Sequence, residues 1–253
     1  MRAKKQFGQN FLHNQQTLEF IVRSMMSSPG DTLVEIGGGT GNVTKLLAKI
    51  PDIELFVIEL DRDLLPLLQQ LKATVIEGNV LDIPLNFAAH QKIVGNLPYY
   101  ITKPIITHIR NYRSSIDFAV LMVQYEVAKV ITALPGESDY SAFSAYIRSF
   151  STPEFLKKVS KGEFNPQPNV DSALVKLTIK PDDPDLDPDA FADFIFSCFR
   201  QRRKTLSNNL KQLGKNSEVV AFLERSGYRA DARAEMISVD DFKALYQIIH
   251  TDD

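Results

Sequence analysis

The sequence predicts an α/β protein: a Rossmann-like open sheet followed by a small all-helical C-terminal domain. Three observations predict it. Short apolar runs at residues 32–36, 55–58, 74–77, 92–95 and 118–123 alternate with segments of helical period. The first of these runs leads into a glycine-rich turn that opens a helix, the usual start of a nucleotide-binding unit. An acidic, proline-rich stretch at 181–189 packs poorly, and beyond it the pattern is wholly helical. The expected domains are therefore residues 1–181 and 182–253.

The opening residues mix Arg2, Lys4 and Lys5 with Phe7, Phe11 and Leu12 and show no clear period. A solvated tail would expose two phenylalanines and a leucine together. The expectation is a segment laid over a cleft, its basic residues near a polyanion. A helix should follow from about Gln15 to Met26, with Leu18, Ile21, Val22, Met25 and Met26 on one face. After the strand at 32–36, glycines at 37, 39 and 41 let the backbone turn tightly and approach a ligand closely. The dinucleotide fingerprint needs a glycine where Asn42 stands. The spacing matches instead the G-x-G-x-G pattern of S-adenosylmethionine enzymes. A helix at 43–50 completes the unit. The second strand ends in Glu59, roughly 20 residues beyond the first glycine, where a carboxylate can accept from both hydroxyls of a ribose. Asp61 competes for that role and alternatively caps a helix over 62–71, in which Pro66 predicts a kink or a delayed start. The third strand delivers Asn79 and Asp82, either of which can meet an adenine amine or serve as an ordinary loop residue.

The fourth strand ends at Val94-Gly-Asn-Leu-Pro-Tyr-Tyr-Ile-Thr102, and Pro98 stops it from continuing. Asn96 thus falls where a strand of an open sheet gives way to a loop, the place such folds bind ligands. Its amide oxygen can accept from an exocyclic base amine. Pro98 stiffens the backbone so that a carbonyl at Leu97 or Pro98 becomes a second fixed acceptor, and Tyr99 offers a flat face to a base. A strand-ending turn with a half-buried tyrosine fits the same residues. A helix over 102–111, a central parallel strand at 118–123, helices at 126–133 and 142–150, and strands at 155–159 and 173–179 follow. Between the last two strands, Pro166 and Pro168 hold a loop extended just after Phe164, which is placed to cap a base or to be buried. In the C-terminal part, Phe191, Phe194, Ile195, Cys198 and Phe199 form one stripe, and Ser238 with Asp241 resembles a capping box.

Composition narrows the function. A 44% hydrophobic content suffices for a sizeable core, and no apolar run approaches the roughly 18 residues of a membrane span. The basic N-terminus lacks the apolar segment of a secretory signal. One cysteine excludes an internal disulfide and fits a reducing, cytoplasmic compartment; Cys198 reads as a core residue. Four histidines without ligand spacing predict no metal. Net charge is only −2, so nucleic acid must be met by local patches. One such patch runs from Arg200 through Arg202, Arg203 and Lys204 to Lys211 and Lys215 without an acid, which suits either a solvated helix face or phosphates.

Taken together, these motifs resemble the KsgA-type ribosomal RNA adenine dimethyltransferases. The likeness runs from Lys4 to about Leu245. Gln-Asn-Phe-Leu, Glu-Ile-Gly-x-Gly-x-Gly, the run Ile58 to Leu64 and Asn-Leu-Pro-Tyr occur in order, with Phe-x-Pro-x-Pro-x-Val-Asp-Ser-Ala at 164–173 and Gln-Arg-Arg-Lys-Thr-Leu at 201–206. Gly38 replaces the proline usual in the glycine turn, which should loosen it. Asn79 stands where the family commonly has aspartate. The resemblance implies a class I S-adenosylmethionine-dependent methyltransferase sheet, with S-adenosyl-L-methionine contacts at Asn10, Leu12, Gly37, Gly39, Glu59, Asn79 and Asn96. It implies transfer to the N6 amines of adenosines in small-subunit ribosomal RNA, giving dimethyladenosine. The expected catalytic set is Asn96, Leu97, Pro98 and Tyr99, with Phe164 closing a sandwich on the flipped base. Arg200, Arg202, Arg203 and Lys204 are the expected RNA contacts, and the partner is a pre-ribosomal small subunit met by a monomer. A large-subunit methylase of the antibiotic-resistance type and a non-catalytic assembly or transcription factor are the alternatives.

Overall fold

A computed structural model describes Lys4 and residues 8–250. Arg2, Lys5, Gln6 and Phe7 lie outside the described residues, and with them most of the expected basic opening. The described chain forms two compact units: one runs through Ala128 and includes Thr152–Pro181, the other comprises Lys129–Ser151 and the chain from Asp182 on.

The first unit is built on a seven-stranded sheet. Its strands are β2 (Thr32–Ile36), β3 (Glu54–Glu59), β4 (Thr74–Glu77), β5 (Gln91–Asn96), β6 (Ile116–Gln124), β7 (Ser151–Val159) and β9 (Ser172–Ile179), in the order β4-β3-β2-β5-β6-β9-β7. β4, β3, β2, β5 and β6 are mutually parallel, and β9 returns antiparallel to β6. Chain order reverses between β2 and β5, so the carboxyl ends of those two strands diverge and leave a crevice. All five residues of β2 and six successive residues of β6 are buried, because helices cover a parallel sheet on both faces. Pro153 is tolerated in β7 because that strand lies at the sheet edge. The strand starts earlier than the run at 155–159 indicates.

The connecting helices are α1 (Gln15–Ser24), α2 (Thr44–Leu47), α3 (Leu65–Leu68), α4 (Thr102–Asn111) and α5 (Tyr125–Thr132). Asn14 caps α1 by accepting from Thr17 N–H at 3.0 Å. Pro66 resolves as a delayed start: it sits in the first turn of α3, which is only one turn long rather than spanning 62–71. A second, two-stranded pairing has no periodic signature at all. β1 (Phe11–Leu12) runs antiparallel to β8 (Phe164–Asn165), with Leu12 opposite Phe164.

The second unit is helical: α6 (Ala142–Phe150), α7 (Pro188–Cys198), α8 (Leu206–Asn209), α9 (Asn216–Arg225) and α10 (Val239–His250). Asp187 caps α7, with Pro188 in its first turn, and Ser238 Oγ accepts from Asp241 N–H at 3.1 Å to open α10. Residues 129–151 group with these helices because Ala133, Tyr140 and Ala145 share a core with Phe191, Ile195, Cys198 and Phe242. The segment expected as one domain, 1–181, is thus interrupted. No helix among the described residues is long and apolar enough to cross a membrane.

Candidate active site

The crevice at the carboxyl ends of β2, β3 and β5 is a cleft walled by the glycine turn, Glu59, Asn79, the Asn96–Ile101 segment and residues 8–12. Gly37 takes φ +77° and donates its N–H to the Ile58 carbonyl at 2.8 Å, which ties the turn to β3. Gly39 takes φ +55°, and a Cβ there would meet the Phe11 ring at 3.2 Å. Its N–H donates instead to Glu59 Oε2 at 2.8 Å. Gly38 is not loose. A Cβ at that position would meet Val57 Cγ1 at 2.5 Å and Leu68 at 2.9 Å, so neighbouring side chains fill the space that a larger residue would need.

Glu59 is buried at 7% exposure. Oε2 accepts from Gly39 and Oε1 accepts from Asp61 N–H at 2.8 Å. These bonds fix the carboxylate in the cleft wall while each oxygen keeps a lone pair for a ligand hydroxyl. Asp61, the competing candidate, does not line the cleft and does not directly start a helix; it is buried and anchored by Lys4 and Gln9. Asn79 Oδ1 accepts from Leu81 N–H at 3.2 Å and caps the short turn Val80–Asp82. Asn79 faces the cleft, whereas Asp82 is not among its walls.

Asn96 terminates β5 and donates from Nδ2 to the Asn10 carbonyl at 2.9 Å. That bond sets the amide so that Oδ1 is its available acceptor. The Leu97 N–H is held by the Met122 carbonyl at 3.1 Å. Of the two candidate carbonyls, Pro98 is already engaged: it accepts from Ile101 N–H at 3.1 Å and from Thr102 Oγ1 at 3.4 Å. No described backbone donor reaches the Leu97 carbonyl, which leaves it available as an acceptor. The Tyr99 hydroxyl shares a hydrogen bond of 2.8 Å with Ser172 Oγ, which pins the ring against β9. Burial raises its pKa against the effect of that bond, so the phenol stays neutral.

Phe164 is different. At 3% exposure it packs with Leu12, Met122 and Leu174, and it is not a wall of the cleft. The β1–β8 pairing holds it there, so the structure does not bring it to the second face of a base beside Tyr99. Of the basic run, Arg200, Arg202, Arg203 and Lys204 are all exposed, and Arg202 is also paired with Glu235 at 3.0 Å.

Four further residues line the cleft that the sequence reading gave no role there. Asn42 donates from Nδ2 to the Leu12 carbonyl at 2.8 Å, locking β1 to the glycine turn. Glu35 is fully buried under that turn, and burial pushes its carboxyl up to about 8 against a 2.6 Å hydrogen bond from Thr44, with the Glu59 charge adding to the rise. Leu60 and Tyr100 stay 45% and 60% exposed in the cleft wall. Among the described residues no group of His, Cys, Asp or Glu is arranged to hold a metal ion.

The donor set suits the cofactor that the motifs imply: a close-approach glycine turn, a fixed carboxylate for a diol and apolar walls at Leu12, Val80 and Leu97. Comparison with known proteins agrees. A family model described as Ribosomal RNA adenine dimethylase matches residues 1–251. A Ribosomal RNA small subunit methyltransferase A from Chlorobium chlorochromatii (strain CaD3) is 39% identical over 259 residues, covering 98% of this chain and 94% of its own length. The structure of a dimethyladenosine transferase from Plasmodium falciparum superposes with a TM-score of 0.82 at 25% identity, over 93% of this chain and 95% of that one. The 23S rRNA methyltransferase ErmE superposes at 0.76 with 23% identity, over 95% and 99% of the two chains, which shows a shared fold.

Proposed function

The chain belongs to the ribosomal RNA adenine dimethylase family, and on that premise we propose that it methylates N6 of two adjacent adenosines in small-subunit ribosomal RNA, each of them twice. It is an S-adenosylmethionine-dependent methyltransferase. The observation that carries the site assignment is the Asn96 amide, held by Asn10 with its oxygen available beside the Leu97 carbonyl.

S-adenosyl-L-methionine, when bound, supplies an electrophilic methyl group on a sulfonium. Glu59 accepts from the ribose hydroxyls, the turn at Gly37 and Gly39 gives close backbone approach, and Asn10, Leu12 and Asn79 wall the remainder. The target adenosine is flipped from its helix or loop. An adenine amine is a poor nucleophile because its lone pair is delocalised into the ring. Asn96 Oδ1 and the Leu97 carbonyl accept its two hydrogens and turn the lone pair out of conjugation, toward the methyl. Pro98 keeps that carbonyl in place, and Tyr99 stacks on one face of the base. Transfer would form the N–C bond as the S–C bond breaks, with neutral S-adenosylhomocysteine leaving, and the residues above would serve it by positioning. The nitrogen becomes acidic only once methylated and gives its proton to water, so no strong base is needed. On the second transfer the amine has a single hydrogen, and one of the two acceptors is left without its donor. Phe164 serves the site from beneath, fixing Leu12 across the β1–β8 pair.

The exposed Arg200, Arg203 and Lys204 meet phosphates of the RNA, with Arg202 beside them. The protein acts as a monomer on a pre-ribosomal small subunit in the cytoplasm. Purified protein incubated with methyl-labelled cofactor and under-methylated small or large subunits tests this reading. Dimethyladenosine in small-subunit RNA is expected. Label confined to large-subunit RNA, or no label with either, would overturn it.

A further inference from the structure

Asp61 is a carboxylate with 3% of its surface exposed, and a buried charge is costly unless donors surround it. Three donors do. Lys4 Nζ reaches Oδ1 at 2.6 Å, Gln9 Nε2 reaches Oδ2 at 2.8 Å, and Asp63 N–H reaches Oδ1 at 3.1 Å. Burial pushes the carboxyl up, but the bonds from Lys4, Gln9 and Asp63 hold it below its ordinary value. Only one of the three donors comes from its own loop, so a local turn or helix start does not account for the arrangement.

Asp61 also joins the two ends of the site without lining the cleft. Its backbone N–H donates to Glu59 Oε1 at 2.8 Å, at the ribose end. Gln9, held by its carboxylate, is followed by Asn10, whose carbonyl accepts from Asn96 Nδ2 at 2.9 Å, at the acceptor-base end. Residues 8–12 then continue along the cleft wall into β1, where Asn42 holds the Leu12 carbonyl.

We propose that Asp61 is a positioning residue for methyl transfer: through Gln9 it fixes the segment Gly8–Leu12 so that one anchor sets both the ribose carboxylate Glu59 and the amide of Asn96. The inference rests on the methyltransferase reading. Asp61 itself touches neither cofactor nor base. Gln9 is tied to Asp61 twice, directly and through Lys4, whose N–H donates to Gln9 Oε1 at 2.8 Å while its Nζ reaches Asp61 Oδ1.

Three variants test it: Gln9→Ala, Asp61→Ala and Asp61→Asn, the last of which keeps an oxygen for Gln9. Cofactor affinity is measured by calorimetry with S-adenosylhomocysteine, turnover at saturating cofactor with small subunits, and melting temperature alongside. Gln9→Ala should weaken cofactor binding about tenfold and lower kcat by a similar factor, as expected for losing one hydrogen bond to a charged group, with little change in melting temperature. Asp61→Ala should lose more, and Asp61→Asn should recover part of the loss. Affinity and kcat within twofold of wild type in both alanine variants would overturn the inference, even if melting temperature falls. Wild-type protein that binds cofactor but methylates no RNA would overturn the proposed function instead, and the affinity arm would still decide the role of Asp61.

Discussion

Replacing Asn96 with alanine removes two things at once. The amide oxygen that receives the adenine N6–H is lost, and so is the Nδ2 donor to the Asn10 carbonyl at 2.9 Å. A preorganised hydrogen bond aimed at developing charge contributes roughly 100- to 1,000-fold in kcat, about 2.7–4 kcal/mol. The Asn10 carbonyl left without its donor costs about 1 kcal/mol of stability, a shift in melting temperature of only a few degrees for a chain this size. Asn96→Asp separates the two roles. Its carboxylate accepts as well as the amide does, but it has no donor for Asn10 and faces that carbonyl as a second acceptor. It should therefore also be slow, by roughly tenfold to 100-fold, the loss expected when a reacting group is misplaced. Single-turnover transfer from labelled cofactor to under-methylated small subunits reads the chemical step, and calorimetry reads the cofactor separately. Full folding with kcat within threefold of wild type in Asn96→Ala would refute the assignment, as would a defect confined to cofactor affinity.

Three further outcomes follow from the geometry. Glu35 has its folded pKa raised to about 8 from 4.5, so the folded state holds a proton that the unfolded state releases; the associated stability is complete below pH 4.5 and is lost as pH rises through 8. Glu35→Gln should flatten that decline, a gain on the order of a few kcal/mol at pH 8 over wild type and almost none at pH 4.5, read by urea unfolding. Phe164→Ala should cost about 3–5 kcal/mol of stability through the cavity it leaves, whereas Phe164→Leu should restore most of the fold; an alanine variant of normal stability with impaired RNA affinity would mean that the ring does leave its packing to meet the base. Arg203→Ala and Lys204→Ala should each lessen the salt dependence of RNA binding by about one phosphate contact without altering cofactor affinity, and Arg202→Ala should do so less because Glu235 already occupies it.

What the sequence made legible was periodic or chemically local. The buried strands at Thr32–Ile36 and Ile116–Gln124 announced themselves as apolar runs, and Pro98 marked the end of β5. Gly37, Gly39 and Glu59 stand where their spacing put them, because a strand–turn–helix unit fixes its own geometry over roughly 20 residues. Long-range pairings were not legible. β1 and β8 contribute two residues each, too few to show a period, yet their pairing decides that Phe164 is buried rather than open to a base. The tie between Asn96 and Asn10 spans 86 residues and rests on a backbone carbonyl, an atom every residue carries. Asp61 read as a helix cap because its neighbours in the chain suggested one; its partners Lys4 and Gln9 come from the other end of the domain. Residues 129–151 carry ordinary helical periodicity, which says nothing about which core the helix joins.

The most direct measurement is a structure of the protein with a non-reactive cofactor analogue and an RNA carrying the target adenosines. It should show one adenine extruded, its N6 within about 3 Å of both Asn96 Oδ1 and the Leu97 carbonyl, with Tyr99 against its face. An adenine held in the cleft with its amine directed away from Asn96, or still stacked in the RNA while the cofactor site is filled, would contradict the account.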